Sequence, residues 1–241
     1  MSVLLLRLAG PMQSWGDSSR FVRRTTRREP TKSGVVGLLA SALGRTREEP
    51  VDDLAQLEMG VRIDQPGALL RDFQTERSLS GDKVMPLSQR YYLQDAVFLV
   101  ALGGPVGMLS QLDEALRSPR WPLYLGRRSC PPTLPVTLGL RDEYENVRDA
   151  LGREPLLASE RYRMRRDAPG TVEIVCDAHD GEACESRADY PLTFSITGRK
   201  YACRPVVTLR IPIPGAESAD SSGEAHSPKG ASSDHDPLAW M

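Results

Sequence analysis

Apolar positions along the chain change period several times, and each change marks an element. Val3–Ala9 is apolar apart from Arg7, as a strand covered on both faces should be. Gly10-Pro11 ends it, because proline brings no N–H to a ladder and glycine bends freely. After a polar, basic stretch, Val35, Val36, Leu38, Leu39, Ala42 and Leu43 recur at helical spacing. Thr31 is placed as the N-cap of that helix and Gly44 as its C′ residue. Residues 51–59 read as a short helix with Asp52 and Asp53 in its first turn, 60–64 (GVRID) as an alternating strand, and 69–75 as another extended segment. Residues 76–87 (ERSLSGDKVMPL) have no period and contain Gly81 and Pro86, so with extended flanks they predict a long hairpin. Residues 95–102 (DAVFLVAL) are a strand broken by Gly103-Gly104-Pro105. Residues 106–116 are an amphipathic helix with Met108, Leu109, Leu112, Ala115 and Leu116 on one side. Tyr124-Leu125 and 134–140 are both candidates for the strand that follows.

The order is strand, helix, strand, long hairpin, strand, helix, strand. It predicts an α+β domain over 1–140, ferredoxin-like, of the kind shared with RNA-recognition modules, with the hairpin at about 70–94. Such a fold hosts many activities and specifies none. Residues 141–214 read as a small β-rich lobe: a charged helix over 141–152, basic 160–166, then strands at 171–176, 192–197 and 206–213. Residues 215–241 are rich in Ser, Asp, Gly and Ala and lack large apolar residues until Leu238 and Trp240, a composition expected to be disordered on its own.

Charge changes this picture more than composition does. The chain of 241 residues has a formal net charge of −1. Yet residues 1–47 carry nine Lys/Arg against Asp17 and Glu29, and residues 215–241 carry Lys229 against five acids. A near-neutral total hides a basic opening and an acidic tail, and the local field steers a charged ligand. Cys130, Cys176, Cys184 and Cys203 show no Cys-x-x-Cys spacing, and His179, His226 and His235 complete no zinc pattern, so no metal is expected. The thiols read as reduced. The apolar start is too short for a signal-peptide core or a membrane span, which points to a cytoplasmic protein.

The candidate chemistry lies between the first strand and the first helix. Arg20, Arg23, Arg24, Arg27 and Arg28 place five guanidinium groups in nine residues with no acid among them. They precede a helix start at Thr31, Lys32 and Ser33, whose N–H groups and dipole suit an anion. Guanidinium forks suit phosphate oxygens. Together they make a plausible polyanion seat, against the plainer reading of a solvated loop. Gly126, Arg127 and Arg128 offer a second place where backbone can approach a ligand beside charge. PTKSG is not a phosphate-binding loop, since Thr31 stands where a glycine must precede the lysine.

Four segments, LRLAGPMQSWG (6–16), PTKSGVVGLLASALG (30–44), QRYYLQDAVF (89–98) and YLGRRSCP (124–131), resemble the CasD family of the type I-E CRISPR Cascade complex. The resemblance covers about residues 2–140, with Arg199-x-Tyr201-x-x-Arg204 as a weaker match beyond. It implies a modified RNA-recognition domain with a protruding thumb hairpin. It also implies a non-catalytic subunit without cofactor that binds the 5′ handle of crRNA, contacts the CasC backbone subunit and the large CasA subunit, and meets target DNA only through the complex. On that reading Arg20, Arg23, Arg24, Arg27, Arg28, Arg127 and Arg128 neutralise handle phosphates, and Lys32 with the Thr31 and Ser33 N–H groups takes another. Gln13 and Trp15 are candidates for base contact, with packing of Trp15 against the sheet as the alternative reading; Arg90 and Tyr91 clamp the strand at the thumb base, and Arg199 and Arg204 contribute from the second lobe. The competing readings are a metal-independent endoribonuclease and a pure protein adaptor. The first needs a general base, yet no histidine precedes His179, leaving Tyr91 or Tyr92 with Lys32.

Overall fold

A computed structural model describes residues 2–16, 22–165 and 169–214. In chain order its elements are β1 (Val3–Ala9), β2 (Met12–Gln13), β3 (Arg23–Arg24), α1 (Lys32–Leu43), α2 (Asp52–Ala55), β4 (Glu58–Gln65), β5 (Ala68–Gln74), β6 (Ser88–Gln94), β7 (Val97–Gly103), α3 (Val106–Arg117), β8 (Thr137–Arg141), α4 (Val147–Arg153), α5 (Glu160–Arg163), β9 (Thr171–Asp177), β10 (Glu185–Thr193) and β11 (Lys200–Pro212). The architecture is α+β. Seven strands form one sheet in the order β10-β11-β9-β4-β7-β1-β8, and every neighbouring pair is antiparallel.

The near-continuous apolar run of β1 has a direct cause. Leu4, Leu6 and Leu8 enter the core under α1 and α3, while Val3 and Leu5 enter a second core with Val147, Ala150 and Leu151 of α4. Both faces of the central strands are therefore covered. Gly60 makes the second packing possible: a Cβ there would lie 2.6 Å from Leu151 and 2.8 Å from Val147. The central strands, covered on both faces, offer no free platform on which bases can stack, which is how RNA-recognition modules use theirs.

Helix α1 begins and ends where expected. The Thr31 side chain accepts from the Gly34 N–H, and Gly44 takes a left-handed φ of 78°. Elsewhere the elements depart from expectation. The helix over 51–59 shrinks to Asp52–Ala55, because Met59 already belongs to β4. The charged helix over 141–152 starts only at Val147, where Asn146 caps it. The strand expected at 192–197 lies instead at Glu185–Thr193, and Tyr124-Leu125 is not a strand. Strands β9 to β11 do not form a separate lobe: β9 pairs along β4 and extends the main sheet.

Strands β5 and β6 pair along their whole length, and β6 also carries β2 and, in parallel, β3. Leu69 and Phe73 on β5 are two-thirds exposed, and Leu79, Val84 and Met85 beyond it are also exposed. The hairpin therefore shows apolar surface to the outside.

The covering segment over the sheet is stapled by a buried ion pair. Arg62 on β4 donates from Nε to Asp64 Oδ1 (2.6 Å) and from its terminal nitrogens to the carbonyls of Leu151, Glu154 and Pro155. Asp64 also accepts from the Leu157 N–H at 2.6 Å. Removing one partner of such a pair leaves the other charge buried and alone. Arg62→Leu should lower unfolding stability by about 3–5 kcal/mol, read as a fall in the urea midpoint. A change within about 0.5 kcal/mol would mean the staple contributes nothing.

Candidate nucleic-acid interface

The candidate site is built around Trp15. Its indole is fully buried and donates to Gln13 Oε1 at 3.1 Å. Gln13 in turn donates to the Leu8 and Ala96 carbonyls at 3.1 and 2.8 Å. On one side the ring lies against α1, where a Cβ on Gly34 would come within 2.7 Å of it. On the other side runs the loop 124–131. The Ser14 N–H donates to the Leu125 carbonyl, and a Cβ on Gly126 would sit 1.8 Å from the Ser14 carbonyl oxygen. The Trp15 backbone then holds the arginine segment: its N–H donates to Thr26 Oγ1 (2.8 Å), and its carbonyl accepts from the Arg27 N–H (2.7 Å).

This geometry selects packing over stacking for Trp15 and corrects the expectations for Gln13 and Gly126. Gln13 and Trp15 are wholly internal, so neither presents an edge or a face to a base. Gly126, at φ 84°, does allow a close backbone approach, but the group approaching is Ser14 and not a ligand.

The start of α1 is also occupied from within. The Lys32 N–H donates to Asp189 Oδ2 at 2.8 Å, and Lys32 Nζ donates to Asp177 Oδ2 at 2.9 Å. Arg204 closes the set, with Nε on Asp189 at 2.7 Å and Nη1 on Asp177 at 2.5 Å. Burial works against the Arg204 charge, but its bonds to Asp189 and attraction to both carboxylates outweigh this and raise its pKa. Thr31 is spent on the helix cap. The phosphate expected on Thr31 and Lys32 is thus replaced by an internal carboxylate, which satisfies the same dipole. Arg204 is a structural charge for the same reason. Thr31 and Ser33 both line an open cleft, and Lys32 does not.

The remaining predicted arginines face outward or share one ridge. Arg23, Arg24 and Arg28 are exposed, and Arg27 is half-buried. Arg20 lies outside the described residues. The Arg23 guanidinium stands 5.5 Å from the centre of the Tyr91 ring, and that of Arg127 stands 4.7 Å from the Tyr92 ring. Tyr92 itself belongs to the core. Arg127 donates to the Arg24 carbonyl at 3.0 Å, which joins the arginine segment to the loop 124–131. Arg90 is half-buried and pairs with Glu76 at 2.7 Å.

From that junction a cleft of about 610 Å³ opens. Gly34, Gly37 and Ser41 of α1 give it a small-residue floor; Trp121, Tyr124 and Arg128 line one wall; Phe194, Arg199 and Tyr201 line another; Arg45 and Arg47 lie at its end. No acidic residue lines it. Arg45 is held by Asp53, but among the described residues Arg24, Arg28, Arg47, Arg128 and Arg199 have no carboxylate within ion-pair distance. Trp121, Tyr124, Tyr201, Phe194, Arg45 and Arg47 were missed by sequence reasoning. They come from three separate stretches, brought together by the packing of Phe194 against α1 at Gly37, the Trp121 N–H bond to the Ser41 carbonyl and the Ile196 N–H bond to Glu48.

Among the described residues no group of His, Cys, Asp and Glu is arranged to hold a metal. Burial pushes the Cys176 thiol up to about 12, so it is not a thiolate near neutral pH.

Two glycines separate the roles of backbone strain and contact. Gly81 has φ 77° with open space around it, whereas Gly126 has both a left-handed φ and a backbone oxygen in the way. Gly81→Ala should cost only about 1 kcal/mol, the strain of the conformation. Gly126→Ala should cost at least about 2–3 kcal/mol and red-shift the tryptophan emission, because Trp15 loses its seat. Equal losses in urea unfolding would contradict this account of the loop.

The profile of the CRISPR-associated protein (Cas_Cas5) family matches residues 3–207. The chain is 36% identical over 176 residues to the CRISPR system Cascade subunit CasD of Escherichia coli (strain K12), covering 64% of this chain and 78% of that one. A solved Cas protein is 40% identical, with a TM-score of 0.69 over 88% of this chain and 97% of its own. A chain of a CRISPR RNA-guided surveillance complex is 34% identical, with a TM-score of 0.73 over 88% and 91%. The chain belongs to the Cas5 family of CRISPR-associated proteins, the family that includes CasD.

Proposed function

We propose that this chain is a non-catalytic subunit of a type I-E CRISPR Cascade surveillance complex that holds the 5′ handle of crRNA and caps one end of the backbone. The observation that carries this reading is one basic surface. It runs from Arg23, Arg24 and Arg28 across the Arg24–Arg127 contact to the aromatic cleft with Arg47, Arg128 and Arg199. Arginine without carboxylate partners suits phosphates, and aromatic walls suit unstacked bases. The likeness to CasD and to a surveillance-complex chain supports the same assignment.

The strand order β8-β1-β7-β4, with crossovers through α1 and α3, is the basis for reading the first part of the chain as ferredoxin-like, a modified RNA-recognition domain. Hairpin β5–β6 is its thumb. The exposed apolar side chains on the hairpin are the surface for neighbouring subunits, CasC and CasA on this reading, and the complex works in the cytoplasm. A catalytic role is disfavoured by where Lys32 points. Its ammonium is tied to Asp177 and stands 5.4 Å from the centre of the Tyr190 ring, so it does not pair with Tyr91 or Tyr92 as a cleavage base would.

Handle-RNA binding by the co-expressed complex, followed across a salt series, tests the reading. Changing Arg24, Arg28, Arg128 and Arg199 to Ala should weaken binding and reduce the slope of log K against log salt by about 3, since each phosphate contact on a single strand contributes about 0.7. An unchanged slope would remove the RNA from this surface.

A further inference from the structure

Residues 215–241 carry five acidic side chains against Lys229. They lie beyond the stretch, 3–207, that the family profile matches. Their chemistry complements one place among the described residues. The cleft offers arginines without carboxylate partners between aromatic walls. The sequence offers Asp234 and Asp236 immediately before Leu238 and Trp240.

We propose that segment 215–241 docks in this cleft when no RNA occupies it, with Asp234 and Asp236 on Arg128 and Arg199 and with Trp240 against the aromatic walls. The proposal rests on the reading of the cleft as part of the RNA seat. Carboxylates take the place of phosphates on the arginine forks, and an indole takes the place of a base between aromatic rings.

The reach is sufficient. Arg199 and Tyr201 lie at one end of β11, and the segment leaves from the other end, past Pro212. A strand of that length spans about 40 Å. The 26 residues from Gly215 to Trp240 can extend to about 90 Å at most, which exceeds that span. A tether of that length keeps its tip at an effective concentration near the millimolar range, so a weak contact competes with RNA. The smaller apolar pocket of about 140 Å³ near Ile213 sits beside the segment's root and offers Arg163 as its one basic group, a poorer match to paired acids.

Full-length protein tests this directly, wild type against the combined variant D234N, D236N and W240A. Without RNA, amide hydrogen exchange across 121–128 and 194–201 should be slower in the wild type. The variant should bind a fluorescent single-stranded RNA of about ten nucleotides about tenfold more tightly at low salt, with the difference shrinking as salt screens the charges. Equal exchange in both proteins overturns the proposal whatever the RNA does, and so does protection confined to 156–172. Slower exchange with equal RNA affinity overturns the competition. If neither protein binds RNA, the reading of the cleft as an RNA seat fails, while hydrogen exchange still decides whether the segment docks.

Discussion

The burial of one indole sets the geometry of the whole basic surface. Trp15 has room because α1 carries Gly34, and the Ser14 backbone before it has room because the loop carries Gly126. Around it meet the end of β1, through the Gln13 bond to Leu8, and strand β6, through the Ser14 bond to the Tyr91 carbonyl. The arginine segment is fixed to the Trp15 backbone on both its N–H and its carbonyl. Trp15 is instead the post to which the outward arginine segment is tied. A buried aromatic of this size contributes more as a fixed support, about 3–5 kcal/mol on truncation, than as one exposed stacking face.

A second constraint decides which arginines are available. Two carboxylates from β9 and β10, Asp177 and Asp189, consume Lys32 and Arg204 and bind the added strands to the start of α1. The pairing costs desolvation, and its return is registration: Asp177 also accepts from the Met59 N–H, so one side chain fixes β4, β9, β11 and α1 together. With those charges neutralised inside, the basic character of the chain is concentrated in the outer arginines. Arg187 and Glu29 pair in the same way behind the arginine segment.

Much of the fold was legible in the sequence, because β1, α1, β7 and α3 each bury a face whose period matches the element. The cap at Thr31 and the left-handed Gly44 were read from local chemistry alone. What escaped were long-range facts. Nothing in the spacing shows that residues 171–212 would add to the β4 edge, since an edge strand and a separate sheet look alike in one dimension. The site divided along the same line. The outward arginines followed from a charge run with no acids, whereas Trp15, Lys32 and Arg204 look the same in sequence whether they meet RNA or meet Gly34, Asp177 and Asp189. The cleft walls come from residues near 45, 121 and 199, and only tertiary packing makes them neighbours.

Ultraviolet crosslinking of crRNA in the assembled complex, with the adducts located by mass spectrometry, tests the central claim most directly. The account predicts adducts on Trp121, Tyr124 or Tyr201 in the cleft, and on Tyr91 beneath Arg23. Adducts confined to Tyr144 or Tyr162, on the side covered by α4 and α5, would place the RNA on the opposite face and contradict it.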